Sequence, residues 1–578
     1  MHECHQSPRR LQLSLALLTL AAAGGAAGAA VTRAERANTE LLGAESALQA
    51  GDCRAASEDY VAAALTATDL KLLQRATEVS LGCGQFALGQ KVAQRWQGLA
   101  PNEAAASLNL VRAQLARARV SAGRGEWLAW LKSKAAPDDA LVAAGIEWLV
   151  KNCGSELTYA ALREVRHPSM NRKGTLLRMA ELANQAFNHA QSIEYGEAAL
   201  KAGAPADAVQ SLKLQALAGL GQADAALKLA EELAATGGNN SLAVAETLMA
   251  LGRDSEAETE LEARLLEPGL RNAAEASLAR LQLQRGDFAG AEQHYSNLMR
   301  TQTTAAMAVY NLSLIAEWRG DGDDAVRGYE LLANTFYDGA ARNRIAGIYL
   351  RDGEKNQALR MLSAGDEAEP QELIAAEVAQ ANLLARSGNA SEGVTRLDAA
   401  LKYFPDHPEI LYQKAVLLER VDAGAAIALL DAQLRSRPDD VGLANALGYT
   451  LADHQRDLGR ATQLIARALR AQPDNPAILD SQGWLLYRKG DRQGALAMLQ
   501  RAYDAYHDGD IGAHLGEVLW SLDRRDEARA AWTRALAADP ENAMLAAVAA
   551  RFVPGLAPPK PGVQKPASAI GHGPGTST

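Results

Sequence analysis

The sequence predicts an all-α fold in which helical hairpins stack into a solenoid. Three observations carry this. Apolar residues make up 48% of the 578-residue chain while aromatics make up only 5%, so the hydrophobic content rests on alanine and leucine, both strong helix formers. Small residues and glycine-containing turns recur at a fixed interval. Prolines recur on the same interval, at 405, 438, 473 and 540, after 33, 35 and 67 residues.

The N-terminus comes first. Arg9 and Arg10 precede an apolar run from Leu11 to Ala23, and Ala27-Gly28-Ala29 offers a small-residue cleavage site. Residues 1–29 read as a secretory signal peptide cut near Ala29 or Ala30, with an apolar first helix or a short uncleaved anchor as the alternatives. Gln12 stands where twin-arginine export expects an apolar residue, which favours the general secretory route. No cysteine follows the apolar run, so it carries no lipidation box, and the expected location is periplasmic or secreted. Removing Cys4 would leave Cys53, Cys83 and Cys153, enough for one internal bridge and one free thiol.

The repeat is most legible in the middle of the chain. RGDFAGAEQHYSNL (285–298) aligns without a gap on RGDGDDAVRGYELL (319–332), placing Gly286 on Gly320, Ala291 on Ala325 and Tyr295 on Tyr329, each 34 residues apart. The frame continues through Gly353 with Ala358, Gly388 with Gly393, Ala461, Gly490 with Ala495, and Ala528. In PDNPAILDSQGWLLYRKGDRQGALAMLQRAY (473–503), Gly483 and Ala495 would let two helices cross closely, and Gly490 would end the first in a left-handed conformation. Pro473 would stop the preceding helix, Asp474 or Asn475 would cap the next, and Pro476 would open its first turn.

This pattern resembles the tetratricopeptide repeat, a helix pair with small residues at its eighth, twentieth and twenty-seventh positions and a proline near its end. The resemblance implies a right-handed superhelix. It divides the chain into divergent repeats over 30–270, a regular array over 271–553, and a Pro/Gly-rich tail over 554–578 that cannot bury a core. Residues 102–200 are helical by composition but poorly patterned, and Trp127, Trp130 and Trp148 read there as packing residues. In the repeat frame Cys53 follows the turn of one hairpin and Cys83 precedes the turn of the next, so a disulfide between them is geometrically open. Two small buried residues are the equal alternative.

Composition and motifs also exclude functions. A net charge of −10 offers no basic field for a phosphate backbone, so nucleic acid is not an expected partner. A mean hydropathy of −0.17 and no late apolar run of about 20 residues argue against a spanning helix. No H-E-x-x-H, P-loop or paired C-x-x-C is present, and no metal or cofactor is expected. His514 with Glu517 reads as a solvated surface pair, and GDGDDA (320–325) as a repeat turn rather than a calcium loop. A non-enzymatic protein scaffold is the reading that remains.

In the tetratricopeptide pattern the first helix of each pair lines the concave groove. The resemblance implies groove positions at Tyr310, Asn343, Asn445 and Asp480 (fifth), Asn382, Tyr449, Trp484 and Glu517 (ninth), and Tyr487 and Trp520 (twelfth). Asparagine can pair with peptide backbone, and tyrosine and tryptophan supply contact area with few rotors; packing between repeats is the alternative for each aromatic. NALGYTLADH (445–454), ILDSQGWLLYRKG (478–490) and GAHLGEVLWSLDRRDEARAAW (512–532) are similar to the C-terminal block of exported bacterial tetratricopeptide proteins. That group includes an outer-membrane lipoprotein adaptor that brings a periplasmic carboxyl-terminal processing protease to peptidoglycan hydrolases. The resemblance implies an envelope scaffold that gathers a protease or cell-wall enzyme and its client. The rival expectations are an assembly factor for polysaccharide export and a cytoplasmic interaction protein.

Overall fold

The computed structural model describes residues 33–556, except 134–136, 268, 364–369, 406 and 539–541. The expected signal peptide at 1–29, and all but residues 554–556 of the expected tail at 554–578, lie outside the described residues. Within them the chain forms 31 α-helices and no strand, and successive helices pair into antiparallel hairpins. The stacking crosses residue 270 without a break, because Asp254–Arg264 packs on Arg271–Gln284.

Local chemistry explains one hairpin in full. Asn475 caps Pro476–Arg488 by accepting from the Ala477 N–H at 3.0 Å, with Pro476 in the first turn. Gly490 takes φ 91° in the turn, a conformation that a β-carbon would strain. Gly286, Gly320 and Gly353 turn in the same way. Asp491 then caps Arg492–Ala505. The helices meet at Gly483, where an added Cβ would lie 2.6 Å from Leu499 Cγ and 3.2 Å from the Ala495 carbonyl oxygen. Ala291, Ala325, Ala358, Ala461, Ala495 and Ala528 occupy the equivalent site on the second helices, all fully buried. One hairpin later Gly516 faces the Trp532 indole, with an added Cβ 2.1 Å from Nε1.

The solenoid returns on itself. Residues of the first hairpins and of those from 374 to 417 share one hydrophobic core, including Tyr60, Trp96, Ile374, Phe404 and Ile410. The turns inside the early hairpins meet the loops between the later ones. Gln85 Nε2 donates to the Pro405 carbonyl at 3.3 Å, 320 residues away. The Val120 N–H donates to Asp439 Oδ2 at 3.2 Å, 319 residues away. Asn188 Nδ2 donates to the Ala471 carbonyl at 3.1 Å, and the His189 N–H to Asp474 Oδ2 at 3.3 Å, 285 residues away.

One superhelical turn therefore takes about nine repeats of 34 residues, and the second turn rests on the first. The helices Phe86–Leu99, Val120–Leu131 and His189–Lys201 lack a cap bond from their own N-cap side chains. The upper turn supplies polar partners at those three ends instead, with two aspartates placed favourably against the helix dipoles. The separation falls by 34 between Asp439 and Asp474 (319 minus 285), so the lower turn holds one more hairpin along this seam. That hairpin is Asp139–Cys153 with Ser155–Leu162, whose second helix has only 8 residues. Here lies the poorly patterned region, with Trp127 and Trp130 buried edge-to-face at 4.7 Å and Trp148 packed against their core.

Cys53 and Cys83 are joined by a disulfide that ties the first two intra-hairpin turns together beside the seam, and Cys153 is free. Gly51 and Gly84 flank the bridge and pass under Leu373 and His407.

Two outcomes follow for stability. Gly516→Ala forces the buried Trp532 to move and lowers unfolding free energy by about 1–3 kcal/mol, whereas Gly125→Ala, on an exposed helix face with nothing within 4 Å of the new Cβ, raises it by roughly 0.5–1 kcal/mol; urea unfolding checks both. Asp474→Ala removes the seam contact to His189 and the 2.5 Å pair with Arg501. Amide hydrogen exchange at 187–190 then speeds up while the turn at Gly286 stays unchanged.

Candidate protein-interaction wall

The first helices of the last hairpins stack side by side and present their fifth, ninth and twelfth positions to one wall. At its centre His514, 3% exposed, stacks on Trp484 with ring centroids 4.1 Å apart. Its Nδ1 meets Asp480 Oδ1 at 2.9 Å and its Nε2 meets the Tyr449 hydroxyl at 3.3 Å. The Trp484 indole N–H donates to Asp453 Oδ1 at 2.9 Å. Arg488 lies over the same indole at 5.8 Å. Tyr487 donates to Glu517 Oε1 at 3.5 Å, and Arg551 pairs with Glu517 at 2.8 Å.

The wall thus brings Tyr449, Asp480, Trp484, Tyr487 and Glu517 together but fills itself with them. Trp484 is 5%, Asp480 8% and Glu517 9% exposed, so none of the three offers an open contact surface. Curvature is the reason: Tyr449 and His514 lie two hairpins apart and still touch. His514 and Glu517 are correspondingly not a solvated surface pair. Both are buried, and each has an ionic partner, Asp480 and Arg551.

The other expected positions scatter. Trp520 packs on Trp532 and Phe552 at the C-terminal cap, with Arg525 over its ring. Tyr310 stacks on Tyr337 at 5.1 Å beside Tyr329. The Tyr329 hydroxyl donates to buried Glu317 at 3.0 Å, and Arg344 and Arg351 pair with that carboxylate at 2.8 and 2.6 Å. Asn343 is exposed, and Asn382 and Asn445 are half-buried.

Sequence reasoning missed two residues. Ala415 is the small eighth-position residue of Pro408–Glu419, matching Gly448 and Gly483, so Tyr412 and Val416 are its fifth and ninth. They are 37% and 39% exposed and stand one helical turn apart, their ring and branched faces open although burial, then Asp440, Glu419 and Glu156, raise the pKa of the Tyr412 hydroxyl. Counting back from Ala415 would have found them.

Burial and charge set the protonation states. Burial holds the Tyr449 phenol well above its ordinary pKa, and the carboxylates of Asp453 and Asp480 add to this. Burial and then Asp453 push the Glu419 carboxyl up. Glu419, Asp453 and His454 are the one trio of metal-ligating types among the described residues, with donor atoms within 4.8 Å of one another. Glu419 is paired with His454 at 3.5 Å and Asp453 holds the Trp484 indole, so these groups already serve each other.

For His514, burial opposes the charged ring, but Asp480 outweighs it and raises the pKa above the ordinary 6.5. A raised folded pKa stabilises the fold fully below about 6.5, and that contribution is lost as pH rises through the folded value. Thermal melts from pH 5 to 9 therefore show a stability component that falls with rising pH. Asp480→Asn abolishes that component and costs about 3–5 kcal/mol at the low-pH end, as expected when a buried pair loses one partner.

A family model described as Tetratricopeptide repeat matches residues 378–441 and 450–510. A TPR repeat-containing protein of Pseudomonas aeruginosa is 28% identical over 216 residues, covering 36% of this chain and 36% of the relative. The match thus spans little more than a third of that protein's length. Among solved structures, a thermophilic TPR protein of Thermus thermophilus is similar over 30% of this chain and 96% of that chain, at 24% identity and a TM-score of 0.28. The APC/C hetero-tetramer Cut9–Hcn1 is similar over 90% of this chain and 96% of that chain, at 13% identity and a TM-score of 0.29. Paired helices on a 34-residue period, with two stretches that match the family model, show that this chain carries tetratricopeptide repeats over 378–441 and 450–510.

Proposed function

We propose that the chain is a scaffold of the bacterial envelope that holds a protease or cell-wall enzyme and its client on the open part of its inner wall. Tetratricopeptide repeats generally mediate protein–protein interaction. The finer reading draws support from one observation: Tyr412 and Val416 stay more than a third exposed, whereas the aromatic positions around His514 pack against one another. An aromatic and a branched aliphatic side chain one turn apart form the kind of anchor that carries binding energy. The location draws support from the leader-like residues 1–29 and from the Cys53–Cys83 disulfide, which suits an oxidising compartment.

The test is capture from envelope extract with wild-type protein and with Tyr412→Ala/Val416→Ala, alongside fractionation. The double variant binds its partner at least about tenfold more weakly, a loss of roughly 1.4 kcal/mol, while its melting temperature stays near wild type. Unchanged capture by the variant, or wild-type protein confined to the cytoplasm, sinks the reading.

A further inference from the structure

Ser155–Leu162 has 8 residues, whereas Val120–Leu131 has 12 and His189–Lys201 has 13. At 1.5 Å per residue it stops about 6 Å short of a normal second helix. The following segment, with a 3-10 turn at Pro168–Asn171, covers the gap incompletely. A cleft of about 470 Å³ remains. Leu162, Val165, Met170 and Met179 give it a buried apolar floor, and Arg163, Arg166, His167 and Tyr195 line the rest.

This is a basic island in an acidic protein, and its charges are unspent. Arg163 sits over the Tyr159 ring at 5.7 Å, and Arg166 donates to the Arg163 carbonyl at 3.0 Å; neither forms an ion pair with a carboxylate among the described residues. Of the acids nearby, Glu164 pairs with Arg124 at 2.5 Å, and Glu194 accepts from the Gln191 amide at 3.0 Å on the Tyr195 side. His167 accepts the Ser169 N–H on Nδ1 at 3.2 Å, which leaves Nε2 to carry a proton as donor. Tyr159, 2% exposed beneath Arg163, supports that side chain from below and is not part of the cleft lining.

We propose that this cleft binds a carboxylate carried on an apolar group, with the apolar part on the methionine-rich floor and the carboxylate held by Arg163 and Arg166. Planar guanidinium forks match a carboxylate's two oxygens, and methionine floors adapt to varied apolar shapes. The ligand is then the C-terminal end of a polypeptide with an apolar last residue, or a free organic acid. This cleft shares no lining residue with the Tyr412 and Val416 pair.

Calorimetry on the full chain, with three probes, decides between them. The probes are a tetrapeptide acid ending in leucine, the same peptide as its C-terminal amide, and octanoate. The peptide acid binds about tenfold more tightly than the amide, and Arg163→Gln removes that advantage. Arg166→Gln, at an exposed position, repeats the loss if Arg163→Gln disturbs folding, and Met179→Trp, which fills the floor, abolishes binding. Octanoate binding with the same dependence on Arg163, and no peptide binding, assigns the site to free acids. Equal affinity for acid and amide, indifference to both arginine changes, no binding by any probe at millimolar concentration, or displacement by inorganic phosphate at equal concentration overturns the proposal.

Discussion

Everything larger in this molecule depends on how closely the two helices of a hairpin can approach. At Gly483 the facing helix brings Leu499 and the Ala495 carbonyl to where a side chain would begin, and at Gly516 it brings the Trp532 indole. A packed interior resists even one extra methyl group, so this distance is held nearly constant from hairpin to hairpin. A constant hairpin offset, repeated, winds the array into a superhelix.

Winding has a consequence that no single repeat contains. After about 320 residues the chain meets itself, and the turns of the first superhelical layer become a surface on which the second must fit. Neighbouring residues then divide their labour. Asn475 caps its own helix, while Asp474 beside it reaches the His189 helix of the layer below and pairs with Arg501. The disulfide at Cys53 and Cys83 lies at this edge, where it holds two early turns in fixed relation to Leu373 and His407 above. The repeat array is thus a two-layered body along this stretch, rather than an open rod.

The same curvature explains why the aromatic positions of the last hairpins are not a waiting peptide groove. Side chains on a concave wall converge, and around His514 they converge far enough to bury one another. The ionic and aromatic groups there pair among themselves, so their chemistry goes into holding the wall's shape. The partner contact proposed here falls instead to positions such as Tyr412 and Val416, where convergence is incomplete.

Residue chemistry along the chain was enough for the helices, their period, the turn glycines, the capping of Pro476–Arg488 and the buried alanines, because each depends on neighbours within one hairpin. The wall positions were legible as a set, through the spacing of Tyr449, Trp484 and Glu517, but not as exposed or buried. Their burial depends on curvature summed over several hairpins, and curvature arises from small offsets that no local pattern records. The seam, the partners of Asp439 and Asp474, and the cleft beside the short Ser155–Leu162 helix belong to closure in space. They join residues about three hundred positions apart, or mark where one hairpin fails to match its neighbours, and only the assembled superhelix brings those groups within reach of each other.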